Sequence, residues 1–253
     1  MTSEHYRNLF EQLSDLPFTS EGIRPGGLEL TQRGLALARL APDDAVLDIG
    51  CGTGVTVAFL REQSIRAMGI DSSAILLARG RSQNTGLPLL LGEGEALPFA
   101  NESFDAVLLE CALSLVQDRM RVFLECHRVL KPLGRIIVTD IYARNPEAVP
   151  KLRSLSVRSC LRGAIDKDQF FHESSEAGFG NVCFEDHSDL LRDFVFQMIW
   201  TYGSLEPFRS GAASCAADCG QFHRAVRRAR PGYFLCVGSK TGSMHDPGED
   251  VNT

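Results

Sequence analysis

The sequence contains no apolar run approaching the ~20 residues needed to span a bilayer. Its first residues, with Glu4, His5 and Arg7, lack a signal-peptide pattern. No basic stripe with interleaved aromatics stands out and the net charge is −6, so nucleic acid is not the first partner to consider. These absences point to a cytoplasmic protein with neither a membrane nor a nucleic-acid partner. Eight cysteines are many for 253 residues, but in a reducing compartment they are not expected to form a disulfide framework. The ordinary reading of each is a small buried hydrophobe. A content of 44% hydrophobic and 23% charged residues suits one large α/β domain with a substantial core.

The stretch Val46-Leu47-Asp48-Ile49-Gly50-Cys51-Gly52-Thr53-Gly54 organises the rest. Apolar residues and an acid read as the end of a buried parallel strand, and three alternate glycines then force a tight turn into a helix. Glycine there permits positive φ and removes the Cβ that would keep a ligand off the backbone. The following helix points its first amides at the same spot, which suits a carboxylate or a phosphate. A dinucleotide fingerprint is G-x-G-x-x-G; here the third glycine comes one residue early, and Val55 stands where that pattern needs it. A nicotinamide-dependent dehydrogenase is disfavoured on that spacing.

Along the chain, Tyr6, Leu9, Phe10 and Leu13 predict a short amphipathic helix over 4–15. A second helix is expected over about Leu28 to Leu40, after the turn-rich Arg24-Pro25-Gly26-Gly27. Ala67-Met68-Gly69-Ile70-Asp71 reads as the second strand. Asp71 is placed to accept from ribose hydroxyls in a βαβ unit, the alternative being an N-cap for the helix from Ser73 to Arg79. A third strand, Pro88 to Leu91, runs into Gly92-Glu93-Gly94-Glu95-Ala96-Leu97-Pro98-Phe99. The fourth, Phe104 to Leu109, delivers Glu110 and Cys111 to its carboxyl end, where open α/β sheets hold ligands. A helix from Asp118 to Leu130 and a fifth strand, Arg135 to Asp140, follow, with Lys131-Pro132-Leu133-Gly134 between them. Helices are expected over 166–178 and 188–203, and strands at Asn181 to Glu185 and Gly232 to Gly238. The apolar stripe of the 188–203 helix reads as core or a cap over the acceptor pocket, with a dimer face as the alternative. Arg224, Arg227, Arg228 and Arg230 read as a basic helix end favoured by the dipole, or as a contact for an anionic substrate.

The Asp-x-Gly-x-Gly-x-Gly pattern, Asp71 and the Gly92 to Phe99 segment together resemble class I methyltransferases that use S-adenosyl-L-methionine (SAM), over roughly residues 40 to 145. The resemblance implies a Rossmann-like three-layer α/β sandwich with a seven-stranded, mostly parallel sheet whose last strand is antiparallel. It implies a cofactor site made by Asp48, Gly50, Cys51, Gly52, Thr53, Gly54, Asp71, Ser72, Glu93, Gly94, Glu95 and Glu110, with Glu93 accepting from the adenine amino group. The expected organisation is an N-terminal helical cap (1–40), a methyltransferase domain (41–240, with acceptor-side helical insertions in 145–230) and a tail (241–253) whose Ser, Asp, Gly, Pro and Asn content reads as disordered.

A narrower resemblance, to arsenite methyltransferases, rests on Glu110-Cys111-Ala112-Leu113-Ser114-Leu115-Val116, Asp140-Ile141-Tyr142-Ala143 and Cys160-Leu161-Arg162-Gly163-Ala164. It implies that Cys111 and Cys160 bind trivalent arsenic as thiolates, helped by lowered pKa values. The chain departs from that family in having no thiol between Met1 and Asp48. The acceptor is therefore read as a small molecule or a metalloid. Cys215 and Cys219 could share one helical face, with His223 nearby, but zinc usually takes four ligands, and no metal site is assigned. Should the acceptor be a hydroxyl or an amine, Glu110, His172 and His187 are the candidate bases. The competing reading is a non-catalytic SAM-binding sensor or metal-handling partner, as a monomer or homodimer.

Overall fold

The protein, seen in a computed structural model, is described over residues 24–154, 160–202 and 216–241. The expected helix over 4–15, Cys215 and the tail from 242 lie outside the described residues, as does the side chain of Cys219.

In chain order the elements are α1 (Gly27–Ala38), β1 (Ala45–Ile49), α2 (Val55–Glu62), β2 (Arg66–Asp71), α3 (Ala74–Gln83) and β3 (Leu89–Leu91). They continue with β4 (Phe104–Glu110), α4 (Arg119–Val129), β5 (Leu130–Ala143), α5 (Val149–Arg153), a 3-10 turn at Cys160–Gly163 and β6 (Ile165–Asp166). The last are α6 (Lys167–Glu176), β7 (Phe179–Asp186), α7 (Ser188–Tyr202), α8 (Ala216–Ala229) and β8 (Pro231–Lys240). Local chemistry sets several of these starts. The side chains of Ser73, Asp118 and Asp166 accept backbone N–H groups in the first turns of α3, α4 and α6, as N-caps do. Among the described residues no helix is long and apolar enough to cross a membrane.

The sheet runs β3-β2-β1-β4-β5-β8-β7, with β8 antiparallel to both neighbours and the other pairings parallel. Seven strands in a mostly parallel sheet, the last reversed, are what the resemblance implied. The sheet has an eighth, the two-residue β6, which pairs with the end of β5 at Tyr142 and Ala143 and is too short to leave a periodic signal. Lys131 to Gly134 do not separate α4 from the fifth strand as expected. They form an irregularity inside β5, which pairs Leu130 with Phe104 and then Arg135 with Ala106.

Successive strand residues face opposite sides of a sheet, and the two cores follow that rule. Val46, Ala106, Leu108, Ile137 and Ile141 join α1, α2, α3, α5 and α8 on one face. Leu47, Ile49, Val107, Leu109, Ile136 and Val138 join α4 and α6 on the other. Covering both faces explains why the central strands read as continuous apolar runs. By the same alternation Asp48 and Glu110 share the face that α1 and α2 cover, at the carboxyl edge where the glycine loop begins.

Candidate active site

Asp71 closes β2 beside the glycine loop. Its Oδ2 accepts from Gly52 N at 2.8 Å and its Oδ1 from Ser73 N at 2.7 Å. The cap of α3 is Ser73, whose Oγ accepts from Leu76 N, so Asp71 is not that helix's cap. It is held by two amides at the mouth of the loop, and a carboxylate can accept about four hydrogen bonds. Ser72 follows, half-buried.

The loop itself is anchored from below, with Gly50 N and Cys51 N both donating to Ile70 O. Gly52 has a φ of +55°, and a Cβ added there would meet nothing within 4 Å. The backbone is thus open to a ligand at that residue, as a cofactor cradle requires. Gly54 caps α2 in the left-handed region. Cys51 is fitted for size: a Cβ on Gly69 would lie 2.5 Å from its Sγ, so the thiol fills the space over a β2 glycine, and burial raises its pKa well above the usual thiol range. Thr53 presents its carbonyl oxygen to Gly80 of α3, where any side chain would strike it.

Behind the loop lies a buried charge cluster. Glu110 accepts from Thr31 Oγ1 and Thr56 Oγ1 at 2.7 Å each, and Arg24 Nη2 lies 3.1 Å from its Oε2. Arg24 donates to the same two hydroxyls at 2.9 Å. Asp48, on the same face, is buried, and its pKa is raised well above the carboxylate range, first by burial and then by Glu110, against the pull of Arg24. Arg24, Thr31 and Thr56 were not read from the sequence as site residues. Glu110, offered as a base, has both oxygens engaged by these three donors. Of the other two candidate bases, His172 is exposed beside Glu176, and His187 is half-buried against Glu185.

Glu95 Oε1 accepts from Gln117 N, and its carbonyl oxygen accepts from Arg121 Nε, both at 3.1 Å. These bonds staple the loop carrying Glu93 to the turn after β4. Gly94 packs on Ile49, where an added Cβ would come within 3.1 Å of its side chain.

Cys111, at a left-handed φ of +54°, points its sulfur at Tyr233 of β8, 3.0 Å from the hydroxyl, which also donates to Thr139 Oγ1 at 3.2 Å. Cys160 packs against the same core as Cys111. Burial, then Asp140, push the Cys111 thiol well above its usual range, against its hydrogen bond with Tyr233. The lowered pKa expected for it is therefore not found: burial disfavours the thiolate and the charge of Asp140 repels it. Among the described residues no cluster of three or more metal-ligand side chains occurs.

Residues 47–138 match a family described as a methyltransferase domain. The uncharacterized methyltransferase YodH of Bacillus subtilis is 40% identical over 134 residues, 51% of this chain and 57% of YodH. An arsenite methyltransferase of Halobacterium salinarum is 32% identical over 158 residues, 58% of this chain and 40% of that protein. The matches thus span less than two thirds of either relative's length. The crystal structure of the [4+2]-cyclase SpnF has a TM-score of 0.71 at 20% identity, over 95% of this chain and 96% of that one, which is a likeness of fold. The glycine loop and, from Leu47 onward, the four parallel strands β1 to β4 lie in the segment, residues 47–138, that is similar to a methyltransferase domain.

Proposed function

We propose that this chain is a SAM-dependent methyltransferase that binds its cofactor across the carboxyl ends of β1 and β2 and methylates a small acceptor held beside Cys111. The observation that carries the reading is the open backbone of Gly52 next to the amide-held carboxylate of Asp71. When bound, the sulfonium supplies an electrophilic methyl group. The protein's part is alignment and exclusion of water: Asp71 holds the ribose, Glu93 the adenine amino group, and the loop amides the amino-acid end. Glu110, tied to Arg24, Thr31 and Thr56, fixes the end of β4 that carries Cys111.

Glu110 is engaged by three donors and His172 and His187 each face a carboxylate, which favours an acceptor from which no proton need be removed. A trivalent metalloid such as arsenite fits that description, with Cys111 and Cys160 as its ligands. The raised pKa of Cys111 does not forbid this, because each thiol proton can leave with an arsenic hydroxyl as water while the As–S bond forms. A cytoplasmic setting, in which thiols stay reduced, suits the same reading. The test is incubation of the chain with labelled SAM and a panel of arsenite, thiols and small phenols, for wild type and Cys111→Ser. Label on arsenite that disappears in the variant is the expected result; label on an organic acceptor in both would reject the metalloid and keep the methyltransferase.

The second reading is a protein that binds SAM or its demethylated product, S-adenosylhomocysteine, without methyl transfer. The engaged state of Glu110 favours it, and one fold neighbour is described as a cyclase, a reminder that fold does not fix chemistry. Cofactor binding with no label on any member of the panel would select it.

A further inference from the structure

The turn between β4 and α4, the end of α5 and the 3-10 turn at Cys160–Gly163 line a cavity of about 500 Å³. Its volume falls in the range of about 300–1,000 Å³ typical of small-molecule sites. None of its lining residues belongs to the candidate cofactor site or is one of the two cysteines of the candidate acceptor site. The charged lining is three guanidiniums, Arg119, Arg153 and Arg162, against two carboxylates, Asp118 and Glu173.

Both carboxylates are already committed. Asp118 Oδ1 accepts from Arg121 N at 2.9 Å as the cap of α4. Glu173 is gripped by Arg119 through two bonds of 2.9 and 3.1 Å, and Gln169 Nε2 adds a third at 2.7 Å. Arg153 has no ion pair among the described residues, and its Nη2 is buried with no hydrogen-bond partner. Arg162 Nε donates to the carbonyl oxygen of Arg153 at 3.1 Å, which holds the two residues at one wall. Burial, and then the charge of Arg119, lower the pKa of the Arg153 guanidinium, against the pull of Glu173 and Asp166. Buried charges are normally paired, and a guanidinium fork matches the two oxygens of a carboxylate or phosphate.

We propose that this cavity binds a small oxyanion, a carboxylate or a phosphate, through Arg153 and Arg162. The oxyanion is either carried on the methyl acceptor or a separate small anion.

Isothermal titration of the full chain at low ionic strength, where screening is weak, tests this without recourse to methyl transfer. The probes are inorganic phosphate, 4-hydroxybenzoate and, as the neutral control, phenol. Phosphate is expected to bind the wild type and to lose about tenfold or more in affinity in Arg153→Gln, with the thermal midpoint unchanged because that guanidinium makes no ion pair among the described residues. Arg162→Lys, which keeps the charge and loses the fork, is expected to weaken phosphate by a smaller factor. Binding of 4-hydroxybenzoate that phosphate displaces and phenol does not reproduce assigns the oxyanion to an aromatic acceptor. Binding of phosphate alone assigns it to a separate anion. No heat from either anion, or equal affinities in wild type and Arg153→Gln, overturns the proposal.

Discussion

Arg24 Nη2 and Glu110 Oε2 lie 3.1 Å apart, with side chains only 9% and 5% exposed. Arg24 precedes α1, Glu110 ends β4, and the hydroxyls between them come from α1 and α2, so the pair ties three elements together behind the glycine loop. Breaking a buried pair by removing one partner costs about 3–5 kcal/mol, because the remaining charge is left uncompensated. Arg24→Met and Glu110→Gln are each expected to lower unfolding free energy by about that amount, and the double variant by less than their sum. Urea denaturation of the three variants measures this; two single losses below about 1 kcal/mol, the scale of an exposed pair, would reject a stabilising role.

Gly80 lies inside α3, where replacing glycine by alanine ordinarily stabilises by about 0.5–1 kcal/mol. Here the new Cβ would strike the carbonyl oxygen of Thr53. Gly80→Ala is therefore expected to destabilise, by about 1–3 kcal/mol as overpacking does, and to weaken cofactor binding by displacing the loop. Thermal melts and calorimetry check both; a stabilised variant with unchanged affinity would contradict the contact.

Asp140 is fully buried, and burial raises its pKa from the ordinary 3.8 to about 6, despite amide hydrogen bonds including those from Ser114 and Ile141. Between those values the folded protein keeps a proton that the unfolded chain releases. Stability is thus highest below about pH 4 as far as this group is concerned and is lost as pH rises through about 6. At about 1.4 kcal/mol per unit the loss is about 3 kcal/mol. Asp140→Asn removes that dependence, so its stability relative to wild type should rise by about 2–3 kcal/mol between pH 4 and pH 8. A constant difference across that range would show that Asp140 is not the titrating group.

The thiolate is the form that alkylates, so exposure and pKa together order the cysteines. Cys183 is exposed, whereas Cys126 and Cys236 are buried, and burial lifts Cys236 to about 12. With iodoacetamide at pH 8, mass mapping should find Cys183 modified before the other cysteines of the described residues, and Cys111, Cys126 and Cys236 only on unfolding. Early labelling of Cys111 would contradict its hydrogen-bonded setting and raised pKa.

The strand-end chemistry was legible because parallel strands buried on both faces leave only their carboxyl ends for polar residues. Asp48, Asp71 and Cys111 fall there, and the glycine spacing separated this loop from a dinucleotide turn. The shared face of Asp48 and Glu110 was also readable, from strand alternation alone, although its consequence, a cation from Arg24, was not. Gly80 could not be read because its partner is a backbone oxygen, which has no identity in a sequence. Tyr233 could not be read because its contact with Cys111 depends on β8 inserting between β5 and β7, and periodicity does not order strands. The Cys111 pKa was misjudged for a related reason: a thiol's surroundings are set by packing, here by Asp140 from the neighbouring strand.

The central claim is that a sulfonium nucleoside is held by the bare backbone at Gly52 and the carboxylate of Asp71. Calorimetric titration of wild type and Asp71→Ala with SAM, S-adenosylhomocysteine and a nicotinamide dinucleotide tests it most directly. The account predicts that the first two bind the wild type, that both weaken by about tenfold or more when Asp71 is lost, and that the dinucleotide gives no heat. Uptake of the dinucleotide with no uptake of either sulfur nucleoside would contradict it.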